Sequence, residues 1–363
     1  MVSDACAASR LNRSTQPLNF SAYTAFHIPV AKMQNQGERT QIVGQRAPAV
    51  SVVIPAYNTA DYIAETLESL FGQTFKDFEA IVVNDGSPDT MKLETVLEKY
   101  ADDIVYIKRP NGGAGAARNT AIQHARGEII AFLDGDDIWA PGFLESQYSF
   151  LTANGFDMVY SNADLFGSAS VAGETFMDGA PSDGVADLDA LIDLRCNVLT
   201  SATLVRKSIV ERAGMFENER VHAEDFHLWL RIARLGAKIG YQKKVLLKYR
   251  VRPDSLSGDG ISRITRSVEV FKRAARTIDF TNEQRQRVAI RISGFESDLA
   301  VARGKILLLD GKFRDAADAF SEANRFRKSP KLSAILWLSR FMPRTLSAFY
   351  KFTRRAEIDF VAK

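Results

Sequence analysis

The sequence predicts an α/β fold built on a mostly parallel sheet, followed by an all-helical region. Three observations carry this. Short, near-continuous apolar runs alternate with helical patterns from about residue 49 to 137, the pattern of βαβ units. The runs lack polar alternation, as strands covered on both faces do. After about residue 260 the pattern is helical throughout.

In order, AVSVVIP (49–55) is the first strand. Thr59 or Asp61 is placed to cap a helix that runs to Gly72, with Ile63, Leu67, Leu70 and Phe71 on one face. FEAIVV (78–83) is the second strand, a helix follows near 90–100, and DIVYIK (103–108) is the third strand, closed by the turn PNGG. Ala114 to Arg126 is helical, and EIIAFL (128–133) is the fourth strand. Beyond it, FDMVYS (156–161), SATLVR (201–206) and KKVLLKYRV (243–251) read as strands, and AEDFHLWLRIARLG (223–236) as an amphipathic helix opened by Glu224 and Asp225, where the helix dipole favours carboxylates.

A chain of 363 residues with 46% hydrophobic and 25% charged residues can bury a large core in about two domains. Residues 1–48 are polar and aperiodic and read as a disordered leader, with Met33 an alternative start. The two cysteines, Cys6 and Cys196, form neither a disulfide framework nor a zinc pair, which fits a reducing cytoplasm. Four scattered histidines exclude a histidine-built metal centre, so any metal is a hard cation held by carboxylates. No apolar run is long enough to span a membrane, and no secretory signal pattern opens the chain. The net charge of +3 hides an asymmetry: nine bases and no acid lie between Ala323 and Ala356, so the rest is mildly acidic.

In open parallel sheets, ligands bind where loops gather at the carboxyl ends of strands. Polar clusters stand at four successive strand ends: Tyr57-Asn58, Asn84-Asp85-Gly86, Asn111-Gly112-Gly113 and Asp134-Gly135-Asp136-Asp137. Each alone could be turn chemistry; four together indicate a site. Three acids within four residues raise one another's pKa, and a divalent cation with phosphate oxygens relieves that conflict. The DGDD run therefore reads as a metal–diphosphate site, with Asp225 a candidate general base.

Taken together, VSVVIPAYN, VVNDGSPD, NGGAGAARN, FLDGDDIW and AEDFHLWLR, in this order over roughly 50–255, resemble the family 2 glycosyltransferases, which have the GT-A fold. The resemblance implies a 49–255 catalytic domain that transfers a hexosyl or N-acetylhexosaminyl group from a nucleoside-diphosphate sugar, with Mg²⁺ or Mn²⁺ and inversion. It implies that Pro55, Ala56 and Tyr57 line the base pocket, that Asp85 hydrogen-bonds the base with support from Arg118, that Asp134 contacts the ribose and that Asp136 holds the metal. It makes Asp225 the catalytic base with Glu224 beside it, and puts Arg250 and Arg252 near the diphosphate. For this chain the expected donor is a UDP-sugar and the expected acceptor a hydroxyl of a glycan or lipid-linked acceptor in cell-surface polysaccharide synthesis.

Three rival readings are weaker. NGGAGAARN imitates a dinucleotide fingerprint, but it follows the third strand and Arg118 stands where Gly or Ala belongs. DGDD imitates a phosphatase nucleophile pair. A non-catalytic carbohydrate- or partner-binding module on the same fold would not need Asp136 and Asp225.

LAVARGKILLLDGKFRDAADAFSEANRF (299–326), within a helical region 260–326, resembles one tetratricopeptide hairpin and should pack on the helices of 262–298, since one repeat does not bury its own face. The tail 327–363 interleaves Leu332, Ile335, Leu336, Trp337, Leu338, Phe341, Met342, Leu346, Phe349, Tyr350 and Phe352 with Arg340, Arg344, Lys351, Arg354 and Arg355, and Pro343 divides it into two helices. That composition suits an anionic membrane interface; packing on the repeat is the alternative. No nucleic-acid recognition motif accompanies the charge.

Overall fold

Apolar runs rich in Val and Ile form β1 (Val50–Ala56), β2 (Phe78–Asp85), β3 (Ile104–Arg109) and β4 (Ile129–Phe132). The structure, a computed structural model, describes residues 46–168, 171, 173–184, 186–217, 223–252 and 260–351. The leader reading for residues 1–45, the Met33 start, and Arg354 and Arg355 lie outside the described residues.

The helices between these strands are α1 (Ile63–Phe71), α2 (Thr90–Leu97) and α3 (Ala114–His124). Neither Thr59 nor Asp61 caps α1 with its side chain: the cap position is Tyr62, and the carbonyl of Thr59 accepts the N–H groups of Tyr62 and Ile63. After β4 come β5 (Ile138–Trp139), α4 (Phe143–Ala153), β6 (Met158–Phe166), α5 (Phe176–Gly179), α6 (Leu188–Ile192), β7 (Thr203–Arg206), α7 (Lys207–Arg212), α8 (Glu224–Arg234) and β8 (Ile239–Arg250).

Among the described residues the strands form one sheet in the order β3-β2-β1-β4-β7-β6-β8-β5. The first four are parallel, with Val53 opposite both Ile81 and Phe132. The other half is mixed rather than parallel. β7 runs antiparallel to β4 and β6, and β5 antiparallel to β8, while β6 and β8 are parallel. Chain order reverses at β1, between β2 and β4, which makes the carboxyl ends of β1 and β4 the switch point where a ligand crevice forms. Register shifts at Ser161–Ala163 let the long β8 bend toward β5.

Alternation along β1 divides the core. Val50, Val52, Ile54 and Ala56 face α1, α2 and α4; Val53 faces the side covered by α3 and α8. Each buried Val or Ile contributes about 1.5–3 kcal/mol relative to exposure.

The helical region is α9 (Gly260–Thr277), α10 (Asn282–Leu309), α11 (Phe313–Phe326) and α12 (Pro330–Phe341), with 343–351 helical after Met342. Phe271 and Ala274 of α9 and Val288 of α10 join the sheet's own core. The tetratricopeptide-like hairpin is differently built from its expectation: its first helix is the second half of an unbroken α10. Gly304 makes the hairpin tight, because a Cβ there would stand 2.7 Å from the Phe320 ring. Leu308, Ala316, Phe320 and Leu346 form a separate small core, with Ile335, Leu336 and Leu338 of α12 packed on it.

Candidate active site

The loop after β1 and the loop after β2 are tied together. Asn58 N–H donates to Ser87 Oγ (2.7 Å) and Ala60 N–H to Asp89 Oδ2 (2.9 Å), while Ser87 Oγ in turn bonds Asp89. Tyr57, at the tip, is 49% exposed. Ala56 is wholly buried, because strand alternation turns it into the core with Ile54. It therefore presents no surface to a ligand, whereas the Tyr57 ring is accessible.

Asp85 is also buried. Its carboxylate accepts from Gly112 N–H (3.0 and 3.1 Å) and Gly113 N–H (2.7 Å), so the end of β2 holds the turn that opens α3. Its cationic partner is Arg109, at 3.5 Å, a residue the sequence did not single out. Arg118 is engaged elsewhere. Its Nη2 donates to Asp134 Oδ1 (2.6 Å) and its Nη1 to Glu224 Oε1 (3.2 Å). Arg118 thus joins the acid run after β4 to the start of α8. Burial alone would lower its pKa, but Asp134 and Glu224 outweigh burial and raise it. Gly115 makes room for this contact: a Cβ there would lie 2.9 Å from Glu224 Cγ.

The other acids divide by environment. Asp137 is buried, and its Oδ1 accepts Arg250 N–H (2.9 Å). Burial, Asp134 and Asp136 raise its pKa well above the carboxylate range. Asp136 is pushed up to about 6 by burial and Asp134, against Arg252 and Arg250. Arg250 ends β8 and Arg252 follows two residues later. Arg250 Nε donates to the Asp136 carbonyl (2.8 Å), its guanidinium lies over Tyr62 and Phe166, and Arg252 Nε stands 3.4 Å from Asp136 Oδ2.

At the mouth of α8, Ala223 holds the cap position in a left-handed conformation (φ 54°), and Glu224 and Asp225 form the first turn. Glu224 is raised by burial and Asp225, opposed by Arg118. Asp225 Oδ2 accepts the hydroxyl of Thr200 (2.7 Å), and the neighbouring Ser201 Oγ accepts Asp134 N–H (3.0 Å). The Thr200–Ser201 turn before β7 therefore holds both acidic motifs. It carries no motif of its own in the sequence; two hydroxyls before a strand are too common a pattern to mark a site.

The acid run fits a hard divalent cation. Asp134, Asp136 and Asp137 repel one another, and Asp137 Oδ2 is buried with no hydrogen-bond partner. Carboxylate oxygens suit Mg²⁺ or Mn²⁺. Among the described residues no three His, Cys, Asp or Glu side chains gather into a cage, so a cation here would draw its other ligands from a bound diphosphate.

The family model of Glycosyl transferase family 2 matches residues 51–176. An uncharacterized glycosyltransferase of Rickettsia typhi is 32% identical over 222 residues, covering 60% of this chain and 69% of the relative. The Escherichia coli UDP-Glc:alpha-D-GlcNAc-diphosphoundecaprenol beta-1,3-glucosyltransferase WfgD is 29% identical over 234 residues, 61% of this chain and 85% of that one. Three other Rickettsia relatives are longer, and the chain spans 30–34% of each. Among solved structures, S. aureus TarS 1-349 in complex with UDP-GlcNAc matches with a TM-score of 0.56 at 19% identity, over 84% of this chain and 92% of that one. Mannosyltransferase PcManGT from Pyrobaculum calidifontis, in complex with GDP-Man and Mn²⁺, matches with a TM-score of 0.55 at 22% identity, over 86% and 87%. These structural likenesses speak for the fold, which is GT-A. With the ordered motifs, the family match and the relatives in agreement, the chain belongs to glycosyl transferase family 2 and is a glycosyltransferase.

Proposed function

We propose that the chain transfers a sugar, with inversion, from a UDP-sugar to a hydroxyl of a lipid-linked or growing glycan in cell-surface polysaccharide synthesis. Arg118 carries the reading: it brings the Asp134 end of the acid run and the Glu224-Asp225 pair into one site. WfgD acts on a diphosphoundecaprenol-linked acceptor and TarS binds UDP-GlcNAc, as their names state; both support the donor and acceptor classes.

In this reading Tyr57 covers the base and Asp85 accepts from it, since the Gly112 and Gly113 N–H groups occupy three of its roughly four lone-pair positions and one is left. Asp134 contacts the ribose. Asp136 would hold Mg²⁺ or Mn²⁺, which when bound would supply Lewis-acid stabilisation of the departing diphosphate. Arg250 and Arg252 add positive charge on the same side. Asp225 takes the proton of the acceptor hydroxyl as that oxygen attacks the anomeric carbon. Thr200 fixes the rotamer of Asp225 through its hydroxyl, and Glu224, neutralised by Arg118, shapes the floor. One base and one leaving group make a single displacement, which inverts configuration. A lipid-linked acceptor puts the reaction at the cytoplasmic face of the cell membrane.

The test is release of nucleoside diphosphate from a panel of sugar nucleotides with a lipid-linked acceptor, with and without Mn²⁺. Metal-dependent release from one UDP-sugar is expected. Tight UDP binding with no release from any donor would favour the non-catalytic binding module.

A further inference from the structure

Helix α12 is apolar on two faces, and among the described residues only one of them is covered. Leu332 and Ser339 are buried and Ile335, Leu336 and Leu338 are partly buried against α10 and α11. On the opposite side Ala334, Trp337 and Phe341 follow at helical spacing and face outward. Trp337 is 55% and Phe341 67% exposed, with ring centroids 5.3 Å apart. Met342, at the break, and Phe349, on the next helix, are exposed as well. Scattered exposed apolar residues need no explanation, but large ones crowded on one surface mark an interaction site.

The charge carried by this segment has one sign. Lys331, Arg340, Arg344 and Lys351 are exposed beside it, and no acid lies between Ala323 and Ala356. On the wheel of α12, Lys331 and Arg340 fall on either flank of the Trp337–Phe341 stripe. Aromatic rings between basic side chains, on a helix whose other face is anchored to the protein, match the depth profile of a bilayer interface: rings at headgroup level, cations against lipid phosphates. We propose that the outer face of α12 and of the 343–351 helix is a docking surface for a bilayer containing anionic lipid. The inference rests on this surface and goes beyond the catalytic reading, since it needs neither donor nor acceptor.

The protein carries its own reporter. Of its three tryptophans, Trp139 and Trp229 are fully buried and Trp337 alone is exposed. The experiment mixes the full chain with vesicles of phosphatidylcholine, with and without a third of phosphatidylglycerol, and reads tryptophan emission and cosedimentation. Expected are a blue shift and pelleting with the anionic vesicles only. Binding should weaken with salt, as the Debye length falls from about 10 Å at 0.1 M to about 3 Å at 1 M. Arg340→Gln with Arg344→Gln should lower partitioning roughly 25-fold, about fivefold per base. Trp337→Ser with Phe341→Ser should abolish the shift and the pelleting while melting temperature and UDP affinity stay unchanged, because both side chains point away from the core. Binding indifferent to lipid charge, an unaffected Trp337→Ser/Phe341→Ser variant, or self-association through this face with no vesicle binding would each overturn the proposal.

Discussion

Replacing Arg118 by Met removes the charge at the centre of the site while keeping most of the buried stem. The Arg118 side chain is 6% exposed, and its two partners, Asp134 and Glu224, are 28% and 16% exposed. Breaking a buried ion pair costs about 3–5 kcal/mol. Asp134 keeps water and its contribution falls toward the surface range, so the expected loss is about 2–4 kcal/mol at pH 8. The loss depends on pH with a definite sign. Glu224 already sits above the usual carboxylate range because of burial and Asp225, and Arg118 pulls it down; without Arg118 it rises further. A carboxyl whose folded pKa exceeds its unfolded value takes up a proton on folding, so its penalty is full at high pH and fades as pH falls through the folded pKa. The gap between wild type and Arg118→Met should therefore narrow from pH 8 to pH 5. Urea unfolding followed by far-UV circular dichroism at both pH values measures it, with Arg118→Lys as a partial rescue. A loss below about 1 kcal/mol at pH 8, or an equal loss at both pH values, would refute the bridging role of Arg118.

Asp225→Asn should retain UDP affinity and lose about 10²–10⁴ in kcat, the range for removing a general base; near-normal turnover with the acceptor would move the base elsewhere. Thr200→Val removes a hydrogen bond to a carboxylate, worth about 1.5–3 kcal/mol, and should lower kcat roughly ten- to a hundredfold with little change in donor KM; a change in KM alone would make Thr200 a binding residue. Asp136→Ala should abolish the Mn²⁺-dependent part of UDP binding in calorimetric titration and leave the melting temperature within a few degrees, whereas unchanged affinity would remove Asp136 from the metal site. His227 is buried between α8 and α9 and pushed down to about 3 by burial and by Arg231 and Arg273. The unfolded chain then binds the extra proton below about 6.5, so His227 costs about 2 kcal/mol of stability at pH 5 relative to pH 8. His227→Phe should flatten that acid limb, and an unchanged slope would show that His227 does not titrate across unfolding.

Residues 49–137 were legible because their signals are local. An apolar run, a helix period and a turn cluster each lie within a dozen residues, and together they placed β1 to β4 and the polar groups at their ends. The start of α8 was legible for the same reason: two acids precede an amphipathic helix. The sequence alone thus determined the fold class, the edge of the sheet where the polar clusters gather and the residue types there. Tertiary structure decided which of those residues meet. Arg118 reaches Glu224 across 106 positions and Thr200 reaches Asp225 across 25, and no periodicity encodes such pairs, because they follow from how whole elements pack. It also decided that Asp137 and Ala56 turn inward, that Arg109 rather than Arg118 serves Asp85, and that the second half of the sheet is mixed, since β7 inserts antiparallel between β4 and β6. The tail shows the same limit. Its composition marked it as both apolar and basic, but only packing against α10 and α11 chose which face of α12 is core and which is left to the outside.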